Sequence, residues 1–342
     1  MQVIRLLLFP VSIIYAFVVR LRNLLFDKGV LKSVQVDCKS IVVGNLSAGG
    51  TGKTPFVLWL LSRYSERGQL AVLSRGYGRE TQGFMEVNAS ANAMQCGDEP
   101  LLIKQRFPQS PVYVCEDRII GAEGILKLNP EINTLILDDA FQHRKFKPGL
   151  SILLTTWGNP FVDDWYLPSG NLRDWKGAYH RADIIVVTKC PKELEQDEAV
   201  KWREKLSLSP QQKLAFTSIS YGSSRPLFGK GIEPRSKIIL VSGIADPKPF
   251  EQHCKDKFEV LKHFKFQDHH AFKASDIARI LNSIGSFGEP VGIVTTEKDA
   301  TRLRAFQNEL RNIPTAYIPI EIEFPLGDID ITGLIDQYIQ NI

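Results

Sequence analysis

The stretch from Val43 to Val57, VGNLSAGGTGKTPFV, constrains the fold of this chain more than any other part of its sequence. It lies between an apolar run typical of a strand and an apolar pattern typical of a helix. Its glycines let successive backbone N–H groups turn toward one centre, and the N-terminus of the following helix adds a partial positive charge. The stretch therefore predicts a loop that binds phosphate groups.

We expect consecutive residues of this loop to bind a nucleotide, namely Ser47, Ala48, Gly49, Gly50, Thr51, Gly52, Lys53 and Thr54. Lys53 can reach the terminal phosphates, and Thr54 can place its hydroxyl on Mg²⁺. The general pattern GxxxxGK[ST] has glycine at the position of Ser47, and the variant found in membrane-associated dimeric ATPases has lysine at the position of Ala48. The alternative is a glycine-rich turn next to a lysine that binds nothing.

Short apolar runs alternate with amphipathic stretches from residue 39 onward. They predict strands at 39–44, 70–76, 111–116, 133–139, 150–156 and 182–189, and helices after residues 54, 98, 117 and 192. Continuous apolar strands separated by helices are typical of a parallel sheet that is covered on both faces. The expected fold class is α/β, with a P-loop NTPase-like parallel sheet covered by helices, a second, smaller α/β portion and an N-terminal hydrophobic helix.

A segment rich in glycine, serine and proline, 221–236, separates the first series of strands and helices from a second one. We therefore divide the chain into three parts. Residues 1–30 form an N-terminal helix that interacts with a membrane, residues 31–222 form a core domain around the phosphate loop, and residues 223–342 form a C-terminal α/β domain that contributes to the active site.

The composition argues against several classes of protein. The chain has 342 residues and a formal net charge of +4, which is too small to imply a large nucleic-acid-binding surface. Its five cysteines are far apart, odd in number and form no CxxC pair. We therefore expect reduced thiols in a cytosolic compartment and no zinc site.

An uncharged run of 14 residues, Leu6 to Val19, lies close to the N-terminus. As a helix it would reach roughly 21 Å, which is shorter than the ~30 Å hydrocarbon core of a bilayer, and no signal-peptide cleavage site follows it. Two interpretations remain. Either the helix lies in the membrane interface, with basic residues such as Arg20 and Arg22 facing anionic headgroups, or it packs on the protein's own core.

Further stretches carry residues that are suited to chemistry. Asp138 and Asp139 end an apolar strand, where they would either bind Mg²⁺ or cap the next helix. Asp98 stands at the start of a predicted helix, which is also a common position for a helix cap. His269 belongs to a pair of adjacent histidines, a pattern that is more often structural than catalytic and that has no third ligand at metal spacing.

These stretches occur together and in a particular order. A short hydrophobic N-terminal segment is followed by VGNLSAGGTGKTP, SRGYGR, GDEP, DDAFQHR, LPSGNLRD, VTK, SGIADP, FQDHHAF and VTTEKDA. In this set and order the chain resembles the tetraacyldisaccharide 4'-kinase family, the lipid A kinases of Gram-negative bacteria. The resemblance extends over almost the whole chain, and the stretches beyond the phosphate loop are not shared with P-loop proteins in general.

The resemblance implies transfer of the γ-phosphoryl group of ATP, with Mg²⁺ as cofactor, to the 4'-hydroxyl of a tetraacylated glucosamine disaccharide 1-phosphate, which gives lipid IVA. It implies that Asp98 is the base that takes the hydroxyl proton and that His269 is its partner. It also implies that Asp138 and Asp139 belong to the metal and active-site network. Such a transfer depends on charge neutralisation and in-line positioning, so Lys53 and the phosphate loop would supply much of the catalysis.

The acceptor lipid implied by this resemblance keeps its acyl chains in the bilayer, because exposing them to water costs about 0.8 kcal/mol per CH₂ group. We therefore expect a peripheral or monotopic protein on the cytoplasmic face of the inner membrane, in contact with anionic lipids. We infer no nucleic-acid partner and no obligate protein partner. Candidate contacts with the 1-phosphate or the headgroup are Arg75, Tyr77, Arg79, Asn171 and Arg173, although the first three lie in a stretch that suits a solvated loop equally well.

Two other functions fit parts of the sequence. A nucleotide-switched membrane-binding regulator would hydrolyse ATP to exchange partners, and a soluble kinase would phosphorylate a polar metabolite. Ala48 in place of the signature lysine, together with the second α/β series that contains FQDHHAF, favours the lipid kinase over the regulator. A soluble kinase would keep its activity without residues 1–24.

Overall fold

The computed structural model describes residues 5, 7–67, 69–327 and 329–340 of the chain. The described residues do not include Leu6, the first four residues of the predicted N-terminal helix or the last two residues of the predicted C-terminal domain. The helices are α1 (Phe9–Asp27), α2 (Lys53–Tyr64), α3 (Ala93–Cys96), α4 (Asp98–Arg106), α5 (Arg118–Leu128), α6 (Gln196–Lys205), α7 (Lys248–Lys257), α8 (Ala274–Gly285), α9 (Glu297–Leu303), α10 (Gln307–Leu310) and α11 (Ile329–Gln340). The strands are β1 (Lys39–Asn45), β2 (Leu70–Ser74), β3 (Met85–Glu86), β4 (Val112–Val114), β5 (Thr134–Asp138), β6 (Leu150–Thr156), β7 (Ile184–Thr188), β8 (Lys213–Phe216), β9 (Ser218–Tyr221), β10 (Arg225–Phe228), β11 (Lys237–Ser242), β12 (Glu259–Lys265), β13 (Gly292–Thr296), β14 (Thr315–Ile318) and β15 (Ile320–Glu323).

The larger sheet has eight strands in the order β3-β4-β2-β5-β1-β6-β7-β8. All neighbours are parallel except β3 and β4. Helices α2, α4 and α11 pack on one face, and α5 and α6 pack on the other. Because both faces are covered, successive residues of β1 are buried on opposite sides, with Val42 in one cluster and Ile41 and Val43 in the other. The expected parallel sheet covered by helices is confirmed.

The second sheet has five strands in the order β10-β14-β13-β11-β12, and only β10 is antiparallel to its neighbour. Helix α8 buries Ile277, Ile280 and Ile284 against one face. Helix α7 buries Phe250 and Cys254 against the other face. The expected second, smaller α/β portion is therefore present.

The chain links the two sheets twice. Strand β9, which follows the larger sheet, pairs with β15, which follows the smaller one. Helix α11 then returns to the larger sheet, where Ile331 and Ile335 are buried in the same cluster as Ile41, and the Tyr338 hydroxyl accepts a hydrogen bond from the Ser40 N–H at 3.0 Å. The division into 31–222 and 223–342 stays a prediction, to which the structure adds this return of the last helix to the first portion.

Helix α1 contacts the rest of the protein through several polar groups, through the buried Phe26 and through a contact of the Phe9 ring with Trp165 at 5.2 Å. Ser12 and Asn23 are buried, the Asn23 amide donates to Asp174 Oδ1 at 2.7 Å, and the Tyr15 hydroxyl donates to the Arg173 carbonyl at 3.0 Å. The large apolar side chains that this helix leaves exposed are Phe9, Val11, Ile13, Ile14, Phe17, Val18, Leu21 and Leu24. The helix therefore packs on the protein with a polar face and leaves an apolar face open.

The length of α1 exceeds that of the uncharged run, because the helix continues through Arg20 and Arg22 to Asp27. Its 19 residues span roughly 28 Å. Within the described part of the chain it is the one helix that is long and apolar enough to cross a membrane, judged by length and composition alone. The two interpretations of the sequence are compatible, since one face packs on the protein while the other is available to lipid.

We predict that Ile335→Ala lowers the free energy of unfolding by about 2–5 kcal/mol, because removal of a fully buried side chain leaves a cavity in the core of the larger sheet. Urea unfolding of the detergent-solubilised protein, followed by tryptophan fluorescence, measures this change. Gln337→Ala on the exposed side of α11 is the matched control and should leave the midpoint almost unchanged. Equal effects of the two substitutions would show that α11 is not part of this core.

Candidate active site

The phosphate loop connects β1 to α2, in the strand-to-helix context that its sequence predicts. Gly49 and Gly52 have φ angles of 110° and 86°, which residues with a side chain rarely adopt. Gly52 is the N-cap residue of α2, so the N–H groups of the first helical turn, which have no partner within the helix, open onto the loop. The backbone can therefore surround an anion at this end of the sheet.

Neighbouring segments hold this loop in place. The Asn45 side-chain amide donates to Thr51 Oγ1 at 2.7 Å. The Thr188 hydroxyl, at the end of β7, donates to the Thr51 carbonyl at 2.8 Å. The Ala48 N–H donates to the Asn171 carbonyl at 2.7 Å. The loop is therefore preorganised by β7 and by the segment around Asn171.

Asp138 and Asp139 lie beside the loop at the end of β5, which is the direct neighbour of β1 in the sheet. Asp139 has a left-handed φ of 50°, is 3.7 Å from Lys53 Nζ and accepts a hydrogen bond from Arg173 Nη1 at 3.0 Å. Asp138 turns inward, where its Oδ2 accepts a hydrogen bond from the Ser74 hydroxyl at 3.3 Å. The two adjacent carboxylates therefore lie in different environments.

The carboxylate pair is electrostatically asymmetric. Burial and the charge of Asp139 raise the pKa of Asp138 to about 6. Burial also acts to raise the pKa of Asp139, but Lys53 and Arg173 outweigh it, so that this pKa lies below its usual value. Asp138 Oδ1 is buried and has no hydrogen-bond partner among the described residues. A cation bound at this oxygen would offset the free-energy cost of burying it.

Asp98 and His269 meet where the two α/β portions face each other. Asp98 is the first residue of α4, after the cap residue Gly97. Its Oδ2 lies 2.9 Å from His269 Nδ1. Burial favours the neutral form of Asp98, but the hydrogen bond to His269 and the charge of Arg302 outweigh it and lower the pKa of this carboxyl below its usual value. Asp98 is therefore a buried carboxylate that is ionised at neutral pH.

Lys298 lies on the other side of the His269 imidazole. Its Nζ is 2.9 Å from His269 Nε2, 3.5 Å from a Glu99 oxygen and 3.4 Å from an Asp268 oxygen. An ammonium group can only donate, so Nε2 accepts this hydrogen bond and the proton of the neutral ring is assigned to Nδ1, which faces Asp98. The hydrogen bond to Asp98 raises the pKa of His269, and burial and Lys298 oppose this rise.

Three of the predicted substrate residues lie in one loop after β2. Arg75 and Tyr77 are exposed and line a cavity of about 540 Å³. The Tyr77 ring lies 6.1 Å from the His269 ring. Arg79, in contrast, is paired with Glu116 at 2.5 Å and would have to break this ion pair to bind a ligand. The loop therefore offers Arg75 and Tyr77 to a ligand, while Arg79 stabilises the loop itself.

The other two predicted substrate residues lie against the phosphate loop. The Arg173 N–H donates to the Leu46 carbonyl at 2.9 Å, and its guanidinium bonds both Asp139 and Asn45. The Asn171 carbonyl accepts the hydrogen bond from the Ala48 N–H of the phosphate loop. Both residues therefore contact the predicted nucleotide site, and they are also tied to other segments, since the Asn171 N–H donates to Asp164 Oδ1 at 3.2 Å and the Arg173 carbonyl accepts from the Tyr15 hydroxyl.

Sequence reasoning missed charged residues around the site. Arg118 is buried at the start of α5, and its charge helps to lower the pKa of Asp139. Lys298 and Arg302 reach the site from α9. The stretch VTTEKDA, which contains Lys298, is one of the ordered stretches that carry the family resemblance, and α9 begins within it. Its sequence alone does not show whether this lysine lies at an active site or in solvent.

Comparisons with known proteins identify the family. The profile of a family described as tetraacyldisaccharide-1-P 4'-kinase (LpxK) matches residues 4–340. A tetraacyldisaccharide 4'-kinase of Flavobacterium johnsoniae is 42% identical over 345 residues, which cover 99% of this chain and 98% of that protein. Another, of Bacteroides thetaiotaomicron, is 41% identical over 92% of this chain and 88% of that protein. The chain belongs to the tetraacyldisaccharide 4'-kinase family.

A solved structure supports the same assignment. The crystal structure of LpxK from Aquifex aeolicus in complex with ATP is similar to this 4'-kinase with a TM-score of 0.76 at 26% identity, and the match covers 98% of this chain and 99% of that chain. The resemblance inferred from the ordered stretches is confirmed, as is the α/β fold class. The roles of individual residues stay predictions.

We predict that Asp98→Asn lowers the pKa of His269 in this 4'-kinase, because the hydrogen bond to the carboxylate is the main cause that raises it. The imidazole should then lose its proton at a lower pH than in the unmodified protein. NMR titration of ¹⁵N-labelled histidine side chains measures this, with His269→Gln to assign the resonance. His263, whose carboxylate partner is Glu251 at 3.1 Å, is the internal control. An unchanged titration of His269 would contradict the pairing.

Proposed function

We propose that this 4'-kinase transfers the γ-phosphoryl group of ATP to the 4'-hydroxyl of a tetraacylated glucosamine disaccharide 1-phosphate with Asp98 as general base, and so forms lipid IVA. The observation that carries this proposal is the 2.9 Å contact between Asp98 and His269. Gly97, which precedes the base, packs on the Tyr77 carbonyl of the loop after β2. That loop and the phosphate loop leave parallel strands at the same edge of the larger sheet.

The nucleotide would bind through residues 47–54. Backbone amides of the loop and the N-terminus of α2 would surround the phosphates, and Lys53 would neutralise charge on the transferred group. Arg173 would contribute to the same charge neutralisation as Lys53, because it contacts Asp139 and Asn45 beside the loop. Phosphoryl transfer depends on positioning and charge stabilisation, so donors that are already fixed by the fold account for much of the rate enhancement.

Mg²⁺ would bind at the carboxylate pair, with the hydroxyl of Thr54 in the phosphate loop as a further ligand. Of the two carboxylates, Asp138 is the better direct ligand, because its Oδ1 has no donor among the described residues whereas Asp139 is paired with Lys53 and Arg173. The residues that the structure describes contain no cluster of three or more His, Cys, Asp or Glu side chains suited to a metal. Phosphate and water oxygens would therefore complete the coordination, as is usual for Mg²⁺ beside a nucleotide. Bound there, Mg²⁺ neutralises phosphate charge.

Asp98 would take the proton of the 4'-hydroxyl as the oxygen bonds to phosphorus. Its Oδ2 is held by His269, which leaves Oδ1 for the acceptor. His269 is itself fixed by Lys298 on its second nitrogen, so the carboxylate is held in one orientation. A base that is ionised at neutral pH and correctly oriented contributes typically ~10²–10⁴-fold to a reaction rate.

The acceptor would bind next to the loop after β2. Arg75 and Tyr77 are the exposed members of that loop closest in sequence to the strand end, and Tyr77 lies beside His269. A guanidinium suits the 1-phosphate or a neighbouring headgroup, and an aromatic ring suits the face of a sugar. We assign Arg79 a supporting role, because of its ion pair with Glu116.

The open face of α1 would lie in the membrane interface. Its apolar side chains are exposed while its polar face packs on the segment 169–174, which is the reverse of what a helix facing water requires. Arg20 and Arg22 would meet anionic lipids. We place the protein on the cytoplasmic face of the inner membrane, where ATP is available, as a peripheral or monotopic enzyme without an obligate protein or nucleic-acid partner.

A nucleotide-switched regulator remains the alternative function for the phosphate loop. Such a protein needs the loop and a metal site but has no use for a second carboxylate held by an imidazole at the same edge of the sheet. The pairing of Asp98 with His269 therefore favours a reaction in which a hydroxyl loses its proton.

We predict that Asp98→Asn lowers kcat by about 10²-fold or more and changes the KM for ATP little, because the carboxylate acts on the acceptor and not on the phosphates. The assay supplies γ-labelled ATP and the disaccharide 1-phosphate lipid in mixed micelles and counts label in the organic phase. Asp256→Asn, an exposed carboxylate on α7, is the control. Label found only as free phosphate would support the regulator, and an unchanged kcat would exclude Asp98 as the base.

We predict that Phe17→Ser combined with Leu21→Ser weakens binding to vesicles of phosphatidylglycerol and phosphatidylethanolamine by about 10²-fold or more, since each buried apolar side chain contributes roughly 1.5–3 kcal/mol. Co-sedimentation with vesicles measures the change. Ile120→Ser combined with Leu128→Ser is the matched control, because these side chains are also exposed, at 58% and 62%, but lie on α5. Equal losses in the two double variants would argue against α1 as the membrane-binding face.

A further inference from the structure

Arg302 is a buried arginine on α9 that contacts both sides of the Asp98–His269 pair. Its side chain is 6% exposed, and its Nε lies 3.7 Å from Asp98 Oδ1, the oxygen that His269 does not use. Its Nη1 donates to the carbonyl of His270, the residue after His269, at 2.8 Å. One guanidinium therefore reaches the carboxylate directly and the imidazole through the backbone of its loop.

Asp299 fixes the position of this guanidinium. Asp299 is fully buried, and its Oδ1 lies 3.0 Å from Arg302 Nη2. Its Oδ2 accepts hydrogen bonds from the Gly243 N–H at 2.9 Å and from the Thr296 hydroxyl at 2.6 Å. These donors lie at the ends of β11 and β13, so the second sheet determines where the arginine stands. A buried ion pair of this kind is better suited to fixing a geometry than to adding stability.

The Nε of Arg302 makes no hydrogen bond within the described part of the chain. It is buried and faces Asp98 Oδ1 at a distance that permits strong attraction but is too long for a hydrogen bond. A buried donor without an acceptor is costly, and a small movement of the Asp98 side chain would satisfy it. This donor therefore lies beside the carboxylate oxygen that, in our proposal, takes the proton of the acceptor hydroxyl.

We propose that Arg302 is a positioning residue for phosphoryl transfer, which orients Asp98 Oδ1 from the second α/β portion and holds the loop that carries His269. This inference rests on the proposed role of Asp98 as the base. It adds a specific requirement, namely that both portions of the chain contribute to the function of the base. Asp98 itself lies on α4, and Arg302, the charge that orients it, lies on α9.

Charged and titratable side chains surround the Asp98–His269 pair. His269, Lys298 and Arg302 act on the Asp98 carboxyl itself, and Cys96 lies within the influence of Asp98 and Arg79. Glu99 and Asp268 contact His269 and Lys298, and Asp299 contacts Arg302. After the hydrogen bond from His269, the charge of Arg302 is the largest influence that lowers the pKa of Asp98. Without that charge the carboxylate should take up a proton at higher pH, so the acid side of the pH profile should move to higher pH.

The test compares Arg302→Gln and Arg302→Lys in the labelled-lipid assay. We expect Arg302→Gln to lower kcat by about tenfold or more, to leave the KM for ATP within about twofold, and to move the acid limb of kcat/KM for the lipid upward by about half a pH unit or more. Arg302→Lys keeps the charge but loses the planar fork, so we expect a several-fold loss of kcat with a smaller movement of the limb. Arg304→Gln is the matched control, because this exposed arginine bonds Gln105 at the same contact between α4 and α9.

The outcomes separate this inference from the proposed function. An unchanged kcat in Asp98→Asn would overturn the role of Asp98 and this inference with it. If Asp98→Asn lowers kcat strongly but Arg302→Gln leaves the pH profile of kcat/KM unchanged, only the role of Arg302 is overturned. This holds even if Arg302→Gln lowers kcat, because a merely structural role would reduce activity without moving the acid limb of the profile. If Arg302→Gln does not fold, as judged by its circular dichroism, Arg302→Lys decides. For Arg302→Gln, a lower kcat with the acid limb moved upward supports the inference, and any other result rejects it. If Arg302→Lys has to decide, a several-fold loss of kcat with a smaller upward movement supports the inference, and an unchanged kcat or an unmoved limb rejects it.

Discussion

The parallel pairing of β1, β2, β5 and β7 is the constraint on which the rest of the site depends. Because these strands run in one direction, their carboxyl ends share one edge of the larger sheet. The phosphate loop follows β1, the loop with Arg75 and Tyr77 follows β2, the carboxylate pair ends β5, and Thr188 ends β7. A reversed strand would carry its residues to the opposite edge, so the chemistry is a consequence of the topology.

Charge compensation is the second feature that shapes the site. Burying an ionised side chain is costly unless an opposite charge or a hydrogen bond accompanies it. Asp139 is paired with Lys53 and Arg173, and Arg302 lies between Asp98 and Asp299. Asp138 Oδ1 is a buried oxygen without a hydrogen-bond partner among the described residues, as are Asp164 Oδ2 and Asp299 Oδ1. Of these three, Asp138 ends the strand next to the one that leads into the phosphate loop, which is why we propose it as the ligand of a cation.

Local patterns in the sequence predicted those parts of the fold that depend on neighbouring residues in the chain, namely the buried strands and the phosphate loop. The inner strands are buried on both faces and therefore read as continuous apolar runs, and the phosphate loop has its own glycine signature. The inward polar face of α1 could not be predicted, because Ser12 and Asn23 are single polar residues in an apolar helix whose partners lie far along the chain. The same holds for Arg302, which meets Asp98 only because two separate sheets pack together.

The segment 169–174 connects α1, the helix that we propose to lie in the membrane interface, to the phosphate loop. On one side it contacts α1 through the Tyr15 hydroxyl and the Asn23 amide. On the other side the Asn171 carbonyl accepts from the phosphate loop, and Arg173 bonds Asp139. In the proposed orientation a helix held in the interface would therefore hold the phosphate loop at a fixed distance from the headgroups. An acceptor whose acyl chains stay in the bilayer can present its hydroxyl only within a narrow range of heights, so a short and rigid connection suits this reaction better than a flexible tether.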